Sequence, residues 1–209
     1  MVSLASKIIT ISREFGTGAR IIGKLLAAEL GFEYYDRAII QMAAEKSGLS
    51  PDFIENNEIT ARKSFLFNIA STAYVSPNLS LQYTMPVNDK AYIAQSEVIR
   101  EVAQKSNCVI IGRCADYVLA DREKLLRVFL YGDRADRLRR IIEDYGYSPD
   151  TAESELNRVD KGRTSYYKYY TGTSWNDIRN RDISLNTSKT GIDAAVRILK
   201  DFATAYFGM

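Results

Sequence analysis

The run Ile8, Ile9, Thr10, Ile11 is β-branched, has no polar alternation, and leads into the glycine-bearing stretch SREFGTGAR at 12–20. That is the pattern of a strand buried on both faces that ends in a turn. Ile21, Ile22, Leu25, Leu26 and Leu30 then recur at helical spacing, and Gly31 follows as a C-cap. Phe32–Tyr35 reads as a second strand delivering Asp36 to its carboxyl end, with a helix over about 37–47 beyond it. Strand, helix, strand, helix is the rhythm of an α/β protein.

Ser50-Pro51-Asp52 is a helix start, with a serine cap and proline in the first turn, and the helix is expected to run from 51 to about 72. Residues 75–89, VSPNLSLQYTMPVND, lose all periodicity and read as a long loop, a candidate lid or substrate loop. A helix over 90–105 carries Ala91, Ala94, Val98 and Val102 on one face, and Cys108–Gly112 reads as a central strand. Leu125–Tyr131 is a further strand and Ala135–Tyr145 a basic helix. Ser148-Pro149-Asp150 is a second capped start, and Ile183–Leu185 is the last strand. Ile192, Val196, Leu199, Phe202, Ala203 and Tyr206 share one stripe of a closing helix. Five short parallel strands with helices on both faces fit this count, a three-layer sandwich in one domain.

Composition narrows the chemistry. At 209 residues and 46% hydrophobic the chain can bury a full core, and 28 basic against 26 acidic residues give no overall field toward nucleic acid or a membrane. The absence of histidine removes the commonest acid-base group and metal ligand, and no metal site is expected. Cys108 and Cys114 lack metal-site spacing, and two thiols in a chain this size suit a reducing cytoplasm. The N-terminal stretch has no basic leader and no apolar run is long enough to span a bilayer, so the expectation is a cytoplasmic protein.

A glycine-rich turn between strand and helix aims backbone N–H groups and a positive helix end at an anion, which makes Gly16 and Gly18 candidates for cradling phosphate. A standard phosphate loop follows its last glycine with a lysine for the β- and γ-phosphates and then a hydroxyl for Mg²⁺. Here Ala19 takes the lysine's place and, two further on, Ile21 takes the hydroxyl's. Arg13 and Arg20 flank the loop with fork-shaped charge, although a tight turn with solvated arginines would read the same way.

Three motifs, REFGTGAR at 13–20, IGKLLAAELGFEYYD at 22–36 and IIGRCADYVL at 110–119, resemble in their order the cytidylate kinases and especially the divergent cytidylate kinase-like family. The likeness covers most of the chain. It implies a P-loop nucleoside monophosphate kinase fold with an acceptor-binding insertion at about 37–90 and a lid at about 132–172. It also implies phosphoryl transfer from ATP, with Mg²⁺, to a nucleoside monophosphate. ATP phosphates would lie on Arg13, Phe15, Gly16, Thr17, Gly18, Ala19, Arg20 and Ile21.

The acceptor would meet Asp36, Arg37, Arg113 and Asp116, where Cys114 replaces an aspartate that family members carry. Asp36 reads equally as an N-cap, and Arg113 as a surface arginine at a helix start. Arg137, Arg140, Arg158, Asp160 and Arg163 match the lid, with Arg20, Arg137, Arg158 and Arg163 implied as catalytic cations over the transition state. Arg134 and Arg139 lie on the same basic helix, whose alternative reading is a solvated face balanced by Asp133 and Asp136. Tyr166, Tyr167, Tyr169 and Tyr170 are candidates for stacking on a base or for packing. Asn186-Thr187 stands near the adenine side or in a plain turn. The implied partners are small nucleotides, with neither nucleic acid nor membrane. The competing reading is a non-catalytic nucleotide- or phosphate-binding sensor or partner protein with a degenerate loop.

Overall fold

The computed structural model describes residues 6–60 and 86–209. Five strands, β1 (Ile8–Arg13), β2 (Glu33–Tyr35), β3 (Cys108–Ile111), β4 (Leu125–Tyr131) and β5 (Ile183–Asn186), form one sheet in the order β2-β3-β1-β4-β5. Every pairing is parallel. Its helices are α1 (Ala19–Leu30), α2 (Arg37–Ser47), α3 (Pro51–Thr60), α4 (Val87–Lys105), α5 (Ala115–Val118), α6 (Arg134–Glu143), α7 (Pro149–Thr171) and α8 (Thr187–Phe207).

Period-2 alternation along each strand splits the core into two layers. Ile9, Ile11, Val109, Ile111, Leu126, Val128 and Leu130 face α1 and α8, meeting Ile22, Leu26, Val196 and Leu199. Ile8, Cys108, Ile110 and Leu125 face the other side, against Ile39, Ile99 and Val102 of α2 and α4. The molecule is thus the expected three-layer sandwich on a five-stranded parallel sheet. Both cysteines are buried and free.

Two helix starts differ from the sequence reading. Val87–Asp89, expected as loop, are the first turn of α4, which starts straight after Pro86 with Asp89 complementing the positive helix end. The closing helix starts at Thr187 rather than Ile192, because Asn186 caps it by accepting from the Ser188 N–H at 3.0 Å. Gly191, with φ 71° and ψ 179°, then breaks its regular turn. The helix after Ser148-Pro149 extends to Thr171, 23 residues in all. The expected continuation of α3 to about 72, and the loop at 75–85, lie outside the described residues.

Parallel register fixes where chemistry can gather. Ile11 pairs with Ile111 and Arg13 with Leu130, so Arg13, the last residue of β1, and Arg113, two residues past the end of β3, come to the same carboxyl edge. Ligands bind at that edge in open α/β sheets.

Candidate functional site

The loop between β1 and α1 turns on two glycines in the left-handed region, Gly16 at φ 82° and Gly18 at φ 75°. A Cβ on Gly16 would come within 2.6 Å of the Arg137 carbonyl oxygen, and one on Gly18 within 2.4 Å of Ile192 Cδ1. Glycine is therefore demanded by contact with α6 and α8 as well as by φ. Glu14 N–H donates to the Leu130 carbonyl at 2.9 Å and Phe15 N–H to Asp160 Oδ1 at 2.8 Å. From Gly16 to Arg20 no backbone N–H has a partner among the described residues, which leaves a row of donors at the positive end of α1. Thr17 Oγ1 does not extend that row, since it donates to the Glu14 carbonyl at 2.9 Å.

A cleft of about 600 Å³ opens over the loop, bounded by α3, α7 and the turn after α6. Arg13, Phe15, Gly16, Thr17, Ala19, Arg20, Ile21, Arg37, Arg158 and Arg163 all line it. Ile21, placed on the buried stripe by its spacing, is 47% exposed and turned into this cleft. Arg20 Nε lies 2.7 Å from Asp36 Oδ2, and Arg37 pairs with Glu55 at 3.6 Å. Asp36 is the N-cap residue of α2, yet its side chain makes no capping bond. It is buried against Arg20 with Oδ1 left without a partner. Arg158 is half exposed and bonded to Glu155 within its own helix.

The arginines expected in the lid divide into two groups. Arg137 is 6% exposed and fully engaged, with Nε donating to the Phe15 carbonyl at 2.8 Å, one NH to Glu14 at 2.8 Å, and the other to Asp160. Arg140 donates to the Gly16 carbonyl at 2.8 Å. Both hold the outer, carbonyl side of the loop, opposite in sense to its N–H row. Asp160 closes the lattice by receiving both Arg137 and the Phe15 N–H.

Arg163, one helical turn beyond Asp160, belongs to the second group. Its NH1 donates to the Arg13 carbonyl at 3.2 Å, and its guanidinium lies 5.8 Å from the centre of the Phe15 ring. Arg13, Arg113 and Arg163 converge on one carboxylate, Glu58 of α3, at 3.6, 3.3 and 3.9 Å. Arg113 is only 3% exposed and sits in the left-handed region at φ 59°, as does Cys114 at φ 54°. Such backbone costs about 1–3 kcal/mol per residue and persists where the surroundings enforce it. Gly112 just before them also sits in the left-handed region, at φ 68°, and a Cβ there would fall 1.9 Å from an Arg13 guanidinium nitrogen and displace it.

Electrostatics in this cluster are unbalanced. Burial alone would push the Glu58 carboxyl up, but Arg113, Arg13 and Arg163 pull it down to about 2, so it is ionised. Burial and the neighbouring Arg13 bring Arg163 down to about 9, which leaves it charged at neutral pH. Arg113 Nε and NH1 and Arg163 Nε are buried without a hydrogen-bond partner among the described residues. The spacing within α3, with Glu55 and Glu58 one turn apart, was the one sequence signal for these acids.

Asp116 is not brought to the cleft. It forms a buried ion pair with Arg181 and accepts from the Tyr167 hydroxyl at 2.8 Å, while Arg181 donates to the Trp175 carbonyl at 2.8 Å. The other tyrosines of the 166–170 cluster pack on one another and on Tyr92. Tyr145 and Tyr147, which the sequence reading passed over, flank Phe15 at 5.6 and 6.0 Å and line the cleft mouth. Among the described residues no group of three carboxylates or thiols gathers to hold a metal, and no helix is long and apolar enough to cross a membrane.

Comparison with known proteins bears on the fold and on the family. A crystal structure of an uncharacterized protein from Eubacterium ventriosum ATCC 27560 superposes with a TM-score of 0.71 at 24% identity, over 96% of this chain and 99% of that one. The shikimate kinase from Acinetobacter baumannii in complex with shikimate gives 0.52 at 15% identity, over 97% and 94%. These likenesses establish the fold. A cytidylate kinase from Halobacterium salinarum (strain ATCC 29341 / DSM 671 / R1) is 28% identical over 109 residues, spanning 52% of this chain and 56% of that protein. Residues 8–189, from the first strand to the start of α8, match one family throughout, and the chain belongs to the cytidylate kinase-like family.

Proposed function

We propose that the protein transfers a phosphoryl group from ATP to a small phosphorylated acceptor, a pyrimidine nucleoside monophosphate. Membership of the cytidylate kinase-like family supports a nucleotide kinase-like function. The observation that carries the finer reading is the pairing of two unlike anion sites at one cleft: the N–H row of Gly16–Arg20, and an arginine cluster of which Arg13 and Arg163 line the cleft while the buried Arg113 lies beside them on Glu58. The first suits the donor's phosphates, the second the acceptor's phosphate and the group in flight. Phosphoryl transfer asks for alignment and positive charge over a spreading negative transition state, which fixed guanidiniums supply. No general base is required, because an acceptor phosphate oxygen is already anionic. Mg²⁺ enters with the triphosphate as part of the substrate, as membership of the kinase-like family implies.

A second reading, a nucleotide- or phosphate-binding protein without transfer, is favoured by Ala19, which stands where the standard loop has its lysine. Incubation of the purified protein with ATP, Mg²⁺ and a panel of nucleoside monophosphates separates the two. Diphosphate formation on a pyrimidine monophosphate is the expected outcome. Tight nucleotide binding with no turnover across the panel establishes the binder instead.

A further inference from the structure

Glu58 is in an unusual position for a structural counterion. It is 8% exposed, it faces three guanidiniums, and none of its contacts with them is shorter than 3.3 Å. By contrast Arg20 meets Asp36 at 2.7 Å and Arg137 meets Glu14 at 2.8 Å. The long contacts leave Arg113 Nε and NH1 and Arg163 Nε, all buried, with no hydrogen-bond partner among the described residues. A buried guanidinium with idle donors is costly and points to a missing acceptor. A carboxylate brings two oxygens and one charge, whereas a phosphate brings three or four oxygens and up to two charges, which fits three forks far better.

We propose that Glu58 is a tethered internal anion that occupies the triple-arginine subsite and is displaced by a doubly charged phosphate, so that it sets the charge a ligand needs to enter. This rests on reading the cluster as the acceptor's anion subsite. A carboxylate carried on α3 is present at a high effective concentration, so a free ligand with the same charge and chemistry competes poorly against it. A dianion wins by engaging the idle Arg113 and Arg163 donors as well. Entry of the phosphate then moves Glu58, and with it α3, whose Glu55 and Asn56 border the cleft. In this way the acceptor's phosphate is sensed by a helix that also forms the cleft wall.

Inorganic phosphate at pH 8, with acetate as the singly charged comparison and ionic strength held constant with chloride, tests this by calorimetry on the full chain. The unmodified protein is expected to bind phosphate and not acetate. Glu58→Gln is expected to bind phosphate about tenfold more tightly, as for a subsite that the tethered anion fills nine-tenths of the time, and to begin to bind acetate. Glu58→Asp keeps the charge but retracts it by one methylene, and is expected to tighten phosphate in the same direction by a smaller factor. It carries the test alone should the Gln variant fail to fold. Glu58→Asp with unchanged affinity would mean that Glu58 acts only through its field, and weaker binding in either variant would make it a strut for the arginines. Each result overturns the proposal. A gain that survives the addition of Arg113→Gln also overturns it, because the phosphate would then lie on the loop. No turnover is read, so phosphate binding as expected without any transfer to monophosphates would defeat the kinase reading and leave this one standing.

Discussion

Arg137 and the Arg13–Arg113–Arg163 cluster stand on opposite sides of one loop and use the same side chain in contrary ways. Around Arg137, one guanidinium is shared by two carboxylates and a carbonyl, all at short distance. Around Glu58, one carboxylate is shared by three guanidiniums, all at long distance, and three buried donors remain idle. Arg137 is outnumbered by its acids, whereas Arg13, Arg113 and Arg163 outnumber theirs. Counting partners therefore separates arginines that residue type and spacing leave merged. Phe15 joins the two regions, since its carbonyl accepts from Arg137 while its ring lies against Arg163.

The largest effect should come from breaking the satisfied side. Arg137→Ala leaves Glu14 and Asp160 without their cation and the Phe15 carbonyl without its side-chain donor in a largely buried place, and removal of one partner from such a network costs about 3–5 kcal/mol. Urea unfolding should show that loss, and no substrate should restore it fully. The unsatisfied side should answer differently. Arg113→Gln removes one of three crowded like charges, so the melting temperature should hold or rise, while turnover on a nucleoside monophosphate falls about 10²–10³-fold as a transition-state donor is lost. Collapse of stability in the Arg113 variant, or a merely catalytic defect in the Arg137 variant, would erase the distinction between the two regions.

Much of the frame was legible in the sequence because its signals are local. Uninterrupted apolar runs gave four strands nearly to the residue, and Gly31 and Ser50-Pro51 marked a helix end and a helix start. Arg113 could be placed at the carboxyl edge because it follows such a run directly. The partners that decide roles are not local. Arg137 and Asp160 read as lid residues, but their lattice depends on Glu14 and on the orientation of loop carbonyls. Asp116 looked free beside Arg113 because Arg181, which claims it, arrives from the far end of the chain. Glu58 carried only the weak signal of its spacing from Glu55, since the three arginines around it come from β1, the end of β3 and α7.

The smallest expected effect is also the most direct gauge of how firmly Glu58 sits among its arginines. Its carboxyl is held down from the ordinary 4.5 to about 2, chiefly by Arg113 against the opposing pull of burial. Between those values the unfolded chain binds a proton that the folded protein refuses. Stability that is fully present above pH 4.5 is therefore lost as the pH falls toward about 2. Over the first pH unit of that window the loss should be about 1 kcal/mol. Other carboxylates titrate in the same range, so the useful quantity is the difference between the native protein and Glu58→Gln, in which groups outside the cluster largely cancel. That difference should slope downward with acid. A flat difference curve would mean that the Glu58 carboxylate spends its time in water, with the arginines unpaired even without ligand. The two regions would then differ by the presence or absence of any internal partner, and displacement would cost the incoming phosphate nothing.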